Sequence, residues 1–350
     1  MNNAELLKEL CLAFGPSGNE DDVRNIIKRE LSLLCNNIEE DCLGNITVNI
    51  AGTINKTLMI CAHMDEVGFM IDEICDDGTL HFSHLGGIDS SVLTGKPVRV
   101  GKKRLPGIIS SVPFHLLPKD KRLSPPDEDE LYIDIGAKDR NEAEKYVDLG
   151  DNATFDSSFF FFGDHKIKCK ALDDRLGVFI MIEMIKEIRN LGIVPCFNVC
   201  FAFTVREEIG FSGAGVCARN VKPDAGIVLE TTAVGDIFGT PGHKTVALLG
   251  NGGVVSPLDR GSIYPEKFVD FALATARENG VSAQIKQYVS GGNDASHIGR
   301  IGNGVPVIAL SAPTRYLHSP SCVVDERDII SMQKHLRYMI TDCRIEEVLK

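Results

Sequence analysis

The chain lacks the features that mark membrane, secreted or nucleic-acid-binding proteins. No apolar run approaches the ~20 residues that a membrane-spanning helix requires. The opening MNNAELLKELCLAF carries an early acid where a secretory signal would be basic and then apolar. Basic charge is in deficit, with 37 Lys and Arg against 49 Asp and Glu. At a net charge of −12, a phosphate backbone or an anionic membrane meets a repelling surface. No C-x-x-C pair occurs among the eleven cysteines, whose odd number argues against a disulfide framework or a zinc-thiolate site. The expectation is a cytoplasmic chain with reduced, mostly buried thiols. Cys61, Cys196 and Cys200 sit in apolar strand-like runs as small hydrophobes. Tails, linkers and solenoid repeats are missing as well.

What is present is globular. With 43% hydrophobic and 25% charged residues, the 350-residue chain supports a sizeable core, as one large domain with an insertion or as two domains. Apolar residues at helical spacing predict helices over Asn3 to Phe14 and Glu20 to Leu34, broken by Gly15-Pro16-Ser17-Gly18. Alternation predicts a strand over Asn45 to Ile50. The continuous apolar run Thr57 to Ala62 suits a strand buried on both faces. From Gly68 to Phe162 the texture changes to short strands and close turns, with one short helix over Asn141 to Tyr146 and an exposed loop over Lys119 to Glu130. Beyond Asp164 strands alternate with helices: helices over Asp173 to Arg189, Pro265 to Asn279 and Glu326 to Cys343, and strands over Phe197 to Val205, Ala225 to Glu230 and Val305 to Ser311. That order predicts a mainly parallel α/β sheet interrupted by an inserted β-rich unit.

Ligands of such sheets bind beyond the carboxyl ends of the strands. LMICAH-MD, CFAFTVR-EE, GIVL-E and VPVIALSAPTRYLH each run apolar first and polar last, so His63, Glu207, Glu208, Glu230 and His318 can converge there, joined by Asp173-Asp174. Imidazole and carboxylate together hold Zn²⁺ or Co²⁺ and leave a position open for water, which points to metal-assisted hydrolysis. Each cluster alone has a plainer explanation: a strand-end histidine satisfied by its neighbour, helix-start acids favoured by the helix dipole, a surface Glu or His. Glu207-Glu208 resists such an account, because adjacent acids ending so apolar a run repel and desolvate one another unless a cation or base is near. Asp65, two residues beyond His63, shares its strand face and is placed to fix the imidazole tautomer. His81 and His84, without a matching acid, read as surface residues.

The segments AHMDEVGFM, KALDDRLG, TVREEIGFSGA, GGNDA and PTRYLHSP, in this order, resemble the tetrahedral aminopeptidases. These are the glutamyl/leucyl aminopeptidase family of dinuclear metallopeptidases, some of whose members carry endoglucanase labels. The resemblance covers nearly the whole chain. It implies a mainly parallel phosphorylase/hydrolase-like catalytic domain over residues 1–67 and 163–350, with an inserted β-barrel-like, PDZ-like domain over 68–162 that joins subunits, commonly into dodecamers. It implies two divalent ions, one held by His63, Asp173 and Glu230 and the other by Asp173, Glu208 and His318, with Glu207 as general base and Asp65 orienting His63. Many family members have Asp where this chain has Glu230, a methylene that moves the carboxylate by ~1.5 Å, and Thr where it has Asn293. Asp236 is the alternative acid further along. The expected activity is removal of N-terminal residues from peptides. The alternatives are a dinuclear deacylase or carboxypeptidase and, from another class, a non-catalytic oligomeric scaffold.

Overall fold

Residues 3–35 and 37–349 are described by the structure, a computed structural model. Two helices, α1 (Ala4–Leu12) and α2 (Asp21–Leu31), precede β1 (Ile38–Glu40), β2 (Ile46–Ile50) and β3 (Ile54–His63). In α2 the helical spacing of Val23, Ile26, Ile27 and Leu31 makes one buried face. The next strands are β4 (Gly68–Ile74), β5 (Leu80–Leu85), β6 (Pro97–Val100), β7 (Leu105–Ser111) and β8 (Leu131–Asp134); after the short α3 (Arg140–Ala143) comes β9 (Asn152–Phe155). These six strands close into a barrel of order β4-β5-β8-β7-β6-β9 around its own core, which includes Phe69, Val98, Ile109 and Phe155. Closure leaves the short strands without free edges.

After the barrel come β10 (Phe160–Phe162), β11 (Lys166–Cys169), α4 (Leu172–Leu191), β12 (Phe197–Thr204), α5 (Ser212–Val221) and β13 (Ala225–Ala233). The chain ends with β14 (Gly253–Val255), α6 (Glu266–Glu278), β15 (Ala283–Ile285), α7 (Ala295–Ile298), β16 (Val307–Thr314), β17 (Cys322–Asp325) and α8 (Glu326–Thr341). The main sheet has the order β1-β2-β12-β3-β13-β16-β14-β15, and its four central strands, β12-β3-β13-β16, are parallel. All eight residues of β16 are buried, as are the last six of β3 and of β12, which is why these strands read as continuous apolar runs. A small antiparallel sheet, β10-β11-β17, takes in Phe160–Phe162. No helix among the described residues is long and apolar enough to cross a membrane.

The structure corrects three expectations. Cys196 and Cys343 form a disulfide, joining the start of β12 to the segment after α8 with Cα atoms 5.3 Å apart, while the other nine cysteines are free. The 147 residues between them hid the pair. His84 is not a surface residue: its side chain is 9% exposed, packs against Phe69 and Phe82, and pairs through Nδ1 with Glu128 at 3.2 Å, an acid that only the fold brings near. The helix α5 gave no sign in the sequence because Gly213 and Gly215 weaken its helical pattern. A Cβ on Gly213 would meet the Val205 carbonyl at 2.1 Å, so glycine lets the helix lie against the end of β12.

Candidate metal centre and active site

The parallel strands deliver their polar ends to one crevice. His63 ends β3, Glu230 lies in β13, Glu207 and Glu208 follow β12, and His318 lies in the turn between β16 and β17. Asp173 and Asp174 open α4 with non-helical backbone angles and a cis peptide bond between them. All are buried or half-buried.

Asp173 stands at the centre. Its Oδ1 is 3.3 Å from His63 Nε2 and its Oδ2 is 3.3 Å from His318 Nε2. Around His63 Nε2, Glu230 Oε1 lies at 3.7 Å and Glu207 Oε2 at 3.9 Å; beside His318 Nε2, Glu208 Oε1 lies at 3.3 Å. His63, Asp173 and Glu208 place ligand atoms within 4.8 Å of one another, and so do His63, Asp174 and Glu230. Asp174 is thus part of the cluster in its own right, with Oδ1 accepting from the Gly177 N–H at 3.0 Å.

Both imidazoles turn Nε2 inward and use Nδ1 to anchor the ring. His63 Nδ1 donates to the Asp65 carbonyl at 3.1 Å, and the Asp65 carboxylate stands 3.4 Å away. His318 Nδ1 donates to the Gly87 carbonyl at 2.6 Å. A distal N–H held by an acceptor fixes the tautomer that leaves Nε2 free to ligate. Asp65 does more than its spacing suggested. Its carboxylate accepts from Ser17 Oγ at 2.6 Å and from the backbone N–H groups of Glu207 and Glu208 at 3.0 and 3.1 Å, so one side chain ties the end of β3 to the Glu207-Glu208 turn. Asp236 is engaged elsewhere, in a two-point pair with Arg315 at 2.7 and 2.9 Å. Asn293 donates to Asp259 and Tyr264 and caps the Ala295 N–H, shaping the cavity wall from within.

Electrostatics make the crevice a cation trap. Burial pushes the carboxyls of Glu208 and Glu230 up to about 7 and about 8, and the neighbouring Asp173 charge adds to the rise in both. Burial first, then Glu230, raises Asp174, while burial lifts Glu207 with help from Glu230 and Glu208. For Asp173 burial opposes ionisation, yet the hydrogen bonds from His318 and His63 hold it well below the usual carboxylate range. The imidazoles respond in kind: burial opposes their charge, but Glu207 and Glu230 carry His63 upward, and Asp173 and Glu208 lift His318 to about 10. Crowded acids that can ionise together only beside positive charge suit divalent cations. Glu230 Oε2 and Asp174 Oδ2 point the same way, being buried with no hydrogen-bond partner among the described residues.

Imidazoles and carboxylates gathered at the strand ends of a parallel α/β sheet define the class as a metal-dependent hydrolase. Comparison with known proteins then gives the family. The M42 glutamyl aminopeptidase profile matches residues 44–334, and the chain belongs to that family. It is 34% identical over 99% of its length to the putative aminopeptidase FrvX of Escherichia coli K12, covering 97% of that protein. The TET aminopeptidase of the marine sediment archaeon Thaumarchaeota archaeon SCGC AB-539-E09 superimposes with a TM-score of 0.95 at 34% identity, covering 98% of this chain and 97% of that one. The Pyrococcus horikoshii TET1 peptidase, described as assembling into a tetrahedron or a large octahedral shell, superimposes with a TM-score of 0.86 at 32% identity over 97% of this chain and 99% of that one. The chain is therefore an aminopeptidase-type hydrolase.

Three contributors to the site lay outside the sequence-based set. Gly87 and Ser17 are ordinary turn residues, and Lys286, which lines the cavity over the cluster, follows a three-residue edge strand. Ser17, in the Gly15-Pro16-Ser17-Gly18 break, and Gly87, in a Gly86-Gly87 doublet, left a sequence signal, and in both it marked a turn rather than a site.

Proposed function

We propose that this chain is a dinuclear aminopeptidase in which His63, Asp173 and Glu230 hold one divalent ion and Asp173, Glu208 and His318 hold the other, with Zn²⁺ or Co²⁺ as the natural occupants. The observation that carries the reading is the central carboxylate of Asp173, which offers one oxygen to each imidazole at 3.3 Å. Bound ions of this kind polarise a carbonyl and lower the pKa of water toward neutrality. Glu207 is the general base: its carboxylate faces the crevice 3.9 Å from His63 Nε2, and the burial that raises its pKa also strengthens its grip on a proton. It takes the proton of the attacking water and returns it to the departing amine. Asp65 positions both the His63 ring and the Glu207 backbone. The acidic crevice attracts the free α-amine of a peptide, which explains selection of the N-terminus.

Chelation tests the metal requirement. Chelator-treated protein is expected to lose hydrolysis of aminoacyl-p-nitroanilides and to regain it with Zn²⁺ or Co²⁺ but poorly with Mg²⁺, which prefers oxygen ligands. Hydrolysis confined to N-acylated or C-terminal substrates would favour the deacylase or carboxypeptidase alternative. Nine free thiols suit a reducing compartment, and the cytoplasm is where we place the enzyme.

We assign residues 68–162 to an inserted unit that mediates assembly, probed by light scattering, with a dodecamer as the expected mass. Exposed Phe114, Leu116 and Leu123 on this unit, together with Phe160–Phe162 at its boundary, support self-association, since a free chain rarely leaves so much aromatic and aliphatic surface in water.

A further inference from the structure

Three charged side chains outside the ligand set are withdrawn from water: Glu66, Lys170 and Arg175, each 3% exposed or less. Lys170 Nζ donates to both Glu66 oxygens, at 2.6 and 2.7 Å, and to the Ala13 carbonyl at 3.1 Å, which occupies all three of its N–H donors. Arg175 reaches the same carboxylate through Nη2 at 3.4 Å and donates to the Leu10 and Gly15 carbonyls at 2.6 and 3.0 Å. Glu66 closes the network on Gly15, whose carbonyl accepts from the Glu66 N–H at 3.0 Å and whose N–H donates to the Glu66 carboxylate at 3.3 Å. In the chain, Lys170 lies three residues before Asp173 and Arg175 two residues after it, so the network grips both sides of Asp173-Asp174. Glu66 itself follows Asp65, the residue that ties the end of β3 to the Glu207-Glu208 turn. Glu66 and Lys170 also share with Asp173, Glu208 and His318 the lining of one small void of about 10 Å³. Stability alone does not call for this arrangement. Taking three charges out of water is expensive, and apolar side chains of similar volume fill such a space at equal or better stability. What the ions add is direction, because each hydrogen bond fixes where its neighbours stand.

We propose that Glu66, acting through Lys170 and Arg175, is the positioning residue of Asp173: it holds the chain on both sides of that carboxylate so that its two oxygens stay aimed at the two imidazoles. The inference rests on the dinuclear reading and extends it to residues that are not themselves ligands.

The test measures both Zn²⁺ affinities of the full-length protein by competitive chelator titration, alongside denaturant unfolding and the kcat and KM for an aminoacyl-p-nitroanilide. Glu66→Gln keeps the shape of the side chain and removes its charge. Because Asp173 serves both ions, the two affinities should fall together by about 10-fold, the lower range for contacts that support metal ligands. Turnover should fall with them while KM stays nearly unchanged. Stability should drop as well, since two buried cations lose their shared anion. The double variant Glu66→Gln/Lys170→Met removes one charge of each sign and should regain much of that stability without regaining the two affinities. Gly15→Ala disturbs the network without touching a charge, because a Cβ there would stand 2.6 Å from Arg175 Nη2 and 2.9 Å from Val23 Cγ2. A smaller loss, again shared by both ions, is expected, and this variant decides alone if neither charge variant folds. Affinities that return with stability in the double variant, a loss confined to one ion, or unchanged affinities in folded Glu66→Gln or Gly15→Ala overturn the positioning role and leave the aminopeptidase reading intact. Two ions bound by the unsubstituted protein without cleavage of any aminoacyl-p-nitroanilide overturn that reading instead.

Discussion

The two imidazoles of the crevice turn Nε2 toward Asp173 from opposite kinds of support. His63 is 1% exposed, ends a central strand, and is anchored by the carbonyl of a residue two positions further on. His318 is 32% exposed, sits in a turn at φ 56°, and is anchored by a carbonyl 231 residues away in the chain, that of Gly87 beyond the barrel strand β5. One half of the site is thus set by the sheet, while the other depends on how the barrel seats against it. Gly86 makes the dependence tight. It adopts φ 92°, and a Cβ there would stand 2.8 Å from Val67 Cγ1 and 3.2 Å from Glu208 Cβ. The barrel, whatever it does in assembly, therefore also touches the chemistry.

The sharpest predicted effect separates the adjacent acids. Glu207→Gln should lower kcat by about 10²- to 10⁴-fold, the usual weight of a general base, with both ions retained. Glu208→Gln, by contrast, should lose metal from the His318 half. Metal analysis alongside kinetics checks this, and equal retention or equal loss by the two variants would dissolve the assigned roles.

Next in size is Gly86→Ala. Displacing the turn that carries the Gly87 carbonyl should weaken the ion at His318 about 10- to 100-fold, the usual cost of losing a ligand's supporting contact. The ion at His63 should hold. A competitive chelator titration resolves the two affinities, and a uniform loss would break the contrast between the halves. Smallest is Ser17→Ala, which removes one of three donors to the Asp65 carboxylate and leaves the Glu207 and Glu208 N–H groups in place. About 1 kcal/mol of stability should go, read from thermal or denaturant unfolding, with little change in metal content.

The contrast also explains what the sequence made legible. His63, Glu207, Glu208 and Glu230 stand at or beside the ends of buried parallel strands, whose continuous apolar runs announce both the strand and where it stops. Asp173 was legible as an acid opening a helix. The anchoring of His318 was not, because a backbone carbonyl offered across 231 residues leaves no local pattern. The same reason hid Glu128 opposite His84 and Cys343 opposite Cys196. Asp65 was half legible: its spacing pointed to His63, but its bonds to the Glu207-Glu208 turn needed β3 and β12 laid side by side.

The central claim is that one carboxylate, Asp173, joins two ion sites of unlike support. Crystals grown with saturating Zn²⁺ and measured at the zinc absorption edge test it most directly. The account predicts two anomalous peaks per chain, one beside His63 and Glu230 and the other beside His318 and Glu208, with Asp173 touching both. A single peak, or two peaks without Asp173 between them, would contradict it.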